Sequence, residues 1–201
     1  MIVAGLDLGQ SIDHAALVMA RARGNPLAVE IGYICQWPIR TSYALIVGEV
    51  AKAVNAIGDV DLSVDARGPG KPVVDQLAGM PGLRVRRLLA ISNTSGKGAR
   101  REAHRPQDPA FLERWSVPKA LLFRALLTLI NSDRFSIKPE LPQAPILKSE
   151  FEHFGFKATE TGYLKLDGVG RHDDVLLATV MAVWTALTAG NLKIGGPENG
   201  L

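Results

Sequence analysis

Residues 5–17 read GLDLGQSIDHAAL. An apolar run ends on an acid, Asp7, turns at Gly9, and resumes at Ala15 after a second acid, Asp13. The flanks have the character of two buried strands, 2–8 and 15–21, with a short join. An acid at the end of a buried strand has three ordinary explanations: an Asx-type turn, a metal ligand, or the rim of a phosphate loop. The rest of the chain has to choose among them.

Working outward, 27–35 reads as a third strand, joined to the second by the turn signal RGNP, so the first three strands form an antiparallel meander. The period then changes. Ile46, Val50, Val54 and Ile57 recur at helical spacing, with Thr41 or Ser42 placed to cap the helix start. Residues 59–65, DVDLSVD, alternate as a strand does. ARGPGKP follows, then a short helix through Val73, Val74 and Leu77, then a strand over 83–91. Residues 118–131 form an amphipathic helix with Pro118 near its first turn. A helix over 143–154, a short hairpin turning across 160–162 and a last helix from about His172 complete the order. Strand, helix, strand implies a parallel pair with a right-handed crossover. The expected fold class is α/β, with a mixed sheet of three antiparallel strands followed by parallel strands, flanked by helices.

The chain has 201 residues, 47% of them hydrophobic, which excludes a disordered protein and supports one domain with a core. The domain is expected over 1–193, with 194–201 as a flexible tail. A single cysteine, Cys35, excludes an internal disulfide and suits a reducing, cytoplasmic setting. No basic segment precedes the first apolar residues, so no signal peptide is read. Residues 175–192 carry no charge, but Thr179, Thr185, Thr188 and Asn191 interrupt them and two aspartates stand directly before them. They read as a buried helix on a sheet rather than a membrane span. The net charge of +3 is only a mild hint of an anionic partner.

Asp7 ends the first strand and Asp65 the fourth. If those strands are parallel neighbours, both acids project into one crevice at the carboxyl ends of the strands, where open α/β sheets bind ligands. RHDDVLL adds Asp173 and Asp174 at the start of the last helix. Each acid also has a local reason to exist: a turn at Asp7, a Gly-Pro-Gly turn after Asp65, the helix dipole at Asp173 and Asp174. Together they form a set of like charges that needs a cation. Hard divalent ions with oxygen ligands fit, Mg²⁺ or Mn²⁺; Cys35 has no CxxC partner and the four histidines lack zinc spacing. Two such ions about 4 Å apart serve phosphodiester cleavage.

GLDLGQSIDHAAL, SVDARGPGKPVVDQL, VPKALLFRALLTLI, KSEFEHF and GRHDDVLLATVMAVW, in that order, resemble the nuclease domain of phage terminase large subunits. The resemblance covers nearly the whole chain and implies a ribonuclease H-like fold of the retroviral integrase superfamily. It implies a metal-dependent endonuclease that cleaves double-stranded DNA with two Mg²⁺ or Mn²⁺ ions during viral DNA packaging. The implied catalytic and metal-binding acids are Asp7, Asp65 and Asp174, with Asp173 as the alternative to Asp174 and Asp13 as a weaker ligand. Arg67 departs from the small or amide residue expected in its turn and is assigned to phosphate contact. The resemblance also implies an ATPase motor domain and a portal protein as further partners, no membrane, and the bacterial host cytoplasm if the chain is viral or prophage-encoded. The sequence starts at Met1, directly on the first strand, and SNTSGKG is a poor Walker A, so the expectation is an excised domain or a separately encoded relative.

Residues 84–105 hold seven Lys or Arg against one Glu. They read either as a solvated face or as a phosphate-backbone contact. Lys71, Lys97, Arg100 and Arg101 join Arg67 as candidate DNA-binding residues. Three other readings compete with the terminase-type nuclease: a Holliday-junction-resolvase-like nuclease, a non-cleaving DNA-binding module, and an actin-type nucleotide-binding protein. The last needs two duplicated domains and leaves HDD unexplained.

Overall fold

The computed structural model describes residues 1–9, 13–94, 98–158, 164–168 and 173–189; for 154–158 and 164–168 it describes the backbone alone. The expected tail over 194–201, the hairpin bend over 160–162 and Lys97 lie outside the described residues.

The meander forms as the buried strands and their turn signals predict. β1 (Ile2–Asp7) pairs antiparallel with β2 (Ala15–Arg23), which pairs antiparallel with β3 (Ala28–Trp37). The register slips between Met19 and Ala20, leaving Gly32 as the extra residue of β3. The bulge is why Ile31 and Ile34, three apart, bury on the same side. α1 (Tyr43–Ile57) follows, capped by the Ser42 hydroxyl accepting from the Leu45 N–H at 3.3 Å. It crosses over to β4 (Val60–Asp65), which lies parallel to β1 with Leu6 opposite Val64. α2 (Gly70–Ala78) leads to β5 (Val85–Thr94), parallel to β4.

Three strands escape the periodicity. β6 (Arg100–Arg101) is two residues long. β7 (Leu112–Pro118) reads LERWSVP, whose middle four residues are only partly buried, so hydrophobic alternation is weak. It nevertheless pairs parallel with β5 along seven residues. α3 (Lys119–Ile130) starts directly after it, so Pro118 both ends the strand and stands at the N-cap of the helix, next to its first turn as expected. β8 (Phe135–Ile137) is a three-residue parallel addition beside β3. α4 (Ala144–His153), the hairpin β9 (Phe154–Ala158) and β10 (Leu164–Gly168), and α5 (Asp174–Ala189) close the described chain.

The main sheet has eight strands in the order β6-β7-β5-β4-β1-β2-β3-β8. It is mixed: antiparallel at β1–β2–β3 and β6–β7, parallel at β1–β4–β5–β7 and β3–β8. α1 and α2 cover one face, packed on Leu6, Leu62 and Val64. α3, α4 and α5 cover the other, packed on Val3, Val18 and Leu89. α5 is buried on all sides from Asp174 to Leu187, which explains why its sequence lacks a polar stripe. Trp184 on α5 meets Trp115 on β7 edge to face at 5.3 Å. Among the described residues no helix is long and apolar enough to cross a membrane.

Candidate active site

Strand alternation decides which way the acids point. On β1, Ala4 and Leu6 face the α1–α2 side, so Val3, Gly5 and Asp7 face α5. On β4, Leu62 and Val64 face α1–α2, and Asp61, Ser63 and Asp65 face α5 by the same rule. Asp7 and Asp65 stand one step past the last paired residues of parallel neighbours, Leu6 and Val64, at the carboxyl ends of strands about 4.8 Å apart.

α5 brings the third acid. Gly5 has no side chain because the helix backbone takes its place: a Cβ there would lie 1.9 Å from the Ala178 carbonyl oxygen. Asp174 is one helical turn before Ala178, and Asp7 is two residues past Gly5 on the same strand face. The close approach therefore lowers Asp174 toward Asp7. Asp7 and Asp65 are each 6% exposed and Asp174 is 3% exposed, values reserved for aspartates with a reason to be buried. Asp173, a quarter exposed, borders them and takes a hydrogen bond from Lys119 Nζ at 3.1 Å.

The electrostatics show the crowding. Burial first, then the carboxylates of Asp65, Asp174 and Asp173, push the Asp7 carboxyl well above the ordinary aspartate range. Arg67 opposes them and does not win. Asp65 is held by the turn that follows it. Its Oδ1 accepts from the Arg67 backbone N–H at 3.0 Å, an Asx turn. Gly70 lets α2 begin directly against this turn, since a Cβ would stand 1.7 Å from the Asp65 carbonyl oxygen. DARGPG thus folds into a tight elbow that aims Asp65 away from α2.

Three residues beside the acids went unnoticed in the sequence. Asn93, on β5 beyond Ile91, which pairs with Asp65, donates Nδ2 to Asp65 Oδ2 at 3.4 Å. Its own Oδ1 is buried without a hydrogen-bond partner among the described residues. Lys119 opens α3 beside Asp173. Glu150, on α4, accepts the Leu176 N–H at 2.7 Å and so caps α5 from outside. Burial raises the Glu150 carboxyl to about 7, against the Leu176 N–H and with help from Asp174. KSEFEHF and VPKALL carry Glu150 and Lys119 in plain view, but nothing local says which helix end or acid they meet.

The remaining candidates are scattered. Asp13 lines a separate cavity of about 220 Å³ with Gly9, Arg40, Thr41 and Tyr43. Lys71 is exposed on the first turn of α2. Arg100 and Arg101 sit on β6 at the sheet edge, opposite Ser116 and Trp115, and Arg101 pairs with Glu113 at 3.3 Å. Trp115 is opposite Ile91, and Ile91 is opposite Asp65, so this edge is level with the acids three strands away. Arg86 and Arg87 lie at the other end of β5 and bind Asp61.

The four acids present oxygen donors only, and Asn93 adds a buried amide oxygen with no donor of its own. That set fits a hard divalent cation with bound water. Among the described residues no three Asp, Glu, His or Cys side chains are already gathered closely enough to hold one. Arg67 meanwhile grips Asp65 at 2.8 Å, a cation already in place beside these like charges.

Neither a protein-family model nor a curated protein sequence matches the chain. Solved structures match it over most of its length. The large terminase nuclease from thermophilic phage G20c, with bound cobalt, superposes at TM-score 0.61 and 16% identity, over 92% of this chain and 80% of that one. The large terminase nuclease domain from bacteriophage SPP1, with bound Mn, gives 0.56 and 17%, over 90% and 84%. The human cytomegalovirus terminase nuclease domain, soaked with Mn and with inhibitor bound, gives 0.54 and 13%, over 90% and 81%. The architecture is therefore ribonuclease H-like. More narrowly, it is the fold of the large-terminase nuclease domains of phages and cytomegalovirus.

Proposed function

We propose that the chain is a terminase-type endonuclease that cleaves double-stranded DNA with Mg²⁺ or Mn²⁺. The observation that carries the reading is the convergence of Asp7, Asp65, Asp173 and Asp174 at the carboxyl end of β1 and β4, with Asp7 pushed up by its neighbours. Asp7, Asp65 and Asp174 are the ligand acids in this reading. Asp173 is the alternative to Asp174, and Asp13 is the weakest candidate because it lines another cavity. The metals in the cobalt- and manganese-bound neighbours support a divalent cation here. Bound as a pair, such ions supply an activated water and stabilise the leaving oxygen of a phosphodiester.

The chain's own residues do the rest. The Asp65 elbow and the Gly5 contact fix two ligands on rigid elements. Asn93 Oδ1 offers a hydrogen-bond acceptor to a water held near Asp65. Lys119 holds Asp173 and adds positive charge where phosphate enters. Arg67, Lys71, Arg100 and Arg101 bind the DNA backbone, which positions the duplex and carries little sequence information. The reading places the chain in a host cytoplasm, working with an ATPase motor and a portal protein.

Supercoiled plasmid incubated with the protein and Mn²⁺, Mg²⁺ or EDTA tests the proposal. Nicked or linear product with metal and none with EDTA is the expected result. Cleavage that persists in EDTA refutes the metal mechanism. Binding without cleavage under either metal favours a non-cleaving module.

A further inference from the structure

Both oxygens of Asp65 are already taken. Arg67 donates its backbone N–H and Nε to Oδ1 at 3.0 and 3.2 Å, and Nη2 and Nε to Oδ2 at 2.8 and 3.2 Å. Asn93 Nδ2 adds a further contact to Oδ2 at 3.4 Å. The two-pronged guanidinium occupies both of the oxygens that a divalent ion would use as ligands. It cannot leave by losing its proton, since arginine stays charged at any working pH. It can leave by moving, because its side chain is 51% exposed.

We infer that Arg67 is a built-in counter-cation that competes with metal for Asp65 and, once displaced, binds the DNA phosphate beside the site. Metal loading and DNA binding then promote each other. The inference rests on the nuclease reading and adds to it the residue that links the two ligands. In the DNA-free protein the guanidinium neutralises part of the acid cluster and weakens metal binding. A duplex offers that guanidinium a second anion of matching geometry. Linkage makes the coupling reciprocal: metal tightens DNA by the factor by which DNA tightens metal.

Lys119 supplies the control. It too is a cation on one of the acids, 3.1 Å from Asp173 Oδ2 and one-third exposed. Its hydrogen bond goes to Asp173, whereas the Asp65 oxygens are held by Arg67 and Asn93. If net charge alone set metal affinity, neutralising either residue would act alike. If the fork on Asp65 is the competitor, Arg67 dominates.

The test is titration of Mn²⁺ into DNA-free wild type, Arg67→Gln, Arg67→Lys and Lys119→Gln, each first shown to be folded by thermal melting. Arg67→Gln should bind Mn²⁺ roughly tenfold tighter than wild type, within the usual range of site-to-site coupling. Arg67→Lys should fall between them, and Lys119→Gln should move by less than about threefold. In parallel, duplex affinity is measured in Ca²⁺ and in EDTA. Ca²⁺ should tighten DNA binding by wild type more than by Arg67→Gln. Unchanged Mn²⁺ affinity in Arg67→Gln, or an equal gain in Lys119→Gln, overturns the inference while plasmid cleavage by wild type leaves the nuclease reading standing. Failure of every variant to bind Mn²⁺, with no plasmid cleavage, overturns both.

Discussion

Asp61 and Asp65 lie four residues apart on β4 and face the same side of the sheet, yet their surroundings make them opposites. Asp61 is fully buried and meets two arginines. The register of β5 slips between Val60 and Asp61, so Arg86 and Arg87 both oppose the one aspartate. Arg86 donates Nε to Oδ1 at 2.7 Å and Arg87 donates Nη2 to Oδ2 at 2.7 Å. Burial alone would raise this carboxyl; the arginine hydrogen bonds outweigh it and hold the pKa below the ordinary range. Asp65 has one half-exposed arginine and shares its surroundings with three more acids. An acid whose charge is over-answered is part of the scaffold. Acids that share too little positive charge among themselves leave room for a cation.

The largest expected difference is in catalysis. Asp7→Ala, Asp65→Ala and Asp174→Ala should each lower plasmid cleavage by on the order of 10³-fold or more, as loss of one member of a catalytic unit does. Asp7→Ala and Asp174→Ala should not lower the melting temperature in EDTA, because each removes a like charge from the cluster, whereas Asp65→Ala also gives up the Asx turn and the Arg67 pair and should melt lower than those two. Mn²⁺ should stabilise wild type more than any of the three. If Asp174→Ala cleaves normally and Asp173→Ala does not, the ligand is Asp173.

Asp61→Ala should do the reverse. It strands two arginines and should cost about 2–4 kcal/mol of stability, less than a wholly buried pair because Arg86 reaches solvent. Cleavage per folded molecule should survive. A chemical melt with a parallel cleavage assay checks both halves. A stable but inactive Asp61→Ala would erase the distinction between the two ends of the strand.

The distinction was half visible in the sequence. Asp7, Asp65 and the HDD acids stand at strand and helix ends, and element order alone places such ends together. Asp61 was hidden inside an alternating strand, and its arginines were lost in the basic run over 84–105. Two of that run's residues are spent on Asp61, which no local pattern reveals because the pairing depends on a bulge. β7 escaped for a related reason: its polar residues find partners outside the strand, Arg114 on Asp75 at 3.4 Å and Ser116 Oγ on Glu102 at 3.1 Å. Glu150 reads as one of two acids on α4, and only packing places it at the N-terminus of α5.

Glu150 gives a smaller, pH-dependent effect. Its carboxyl is raised from 4.5 to about 7 in the folded chain. Between those values the folded protein holds a proton that the unfolded chain lacks, so stability falls as pH rises and the contribution is complete only below 4.5. Asp7, raised by burial and its neighbours, acts in the same direction. In EDTA, wild type should melt higher near pH 5 than near pH 8. Glu150→Gln keeps an acceptor for the Leu176 N–H and cannot charge, so it should flatten that slope by on the order of 1 kcal/mol. An identical slope in the variant would mean that Glu150 is charged throughout.

The smallest effect concerns the far edge of the sheet. Arg100 and Arg101 are exposed on β6, level with Asp65 but three strands away, a span of about 14 Å. A B-form duplex over the acids is wide enough to reach that edge, whereas the arginines on Asp61 are committed at the opposite end of β5. Among the described residues the double substitution Arg100→Ala, Arg101→Ala gives up the pair of solvent-exposed Arg101 with Glu113, so stability should change little. If both arginines contact phosphate, the slope of log affinity against log salt should fall by about two contacts times 0.9. The measurement uses duplex DNA in Ca²⁺, with wild type and variant across a salt series. An unchanged slope would make this edge a solvated face and confine DNA contact to the residues around Asp65. A reduced slope with unchanged Mn²⁺ affinity would extend the DNA path from the acid cluster across β5 and β7 to the sheet edge.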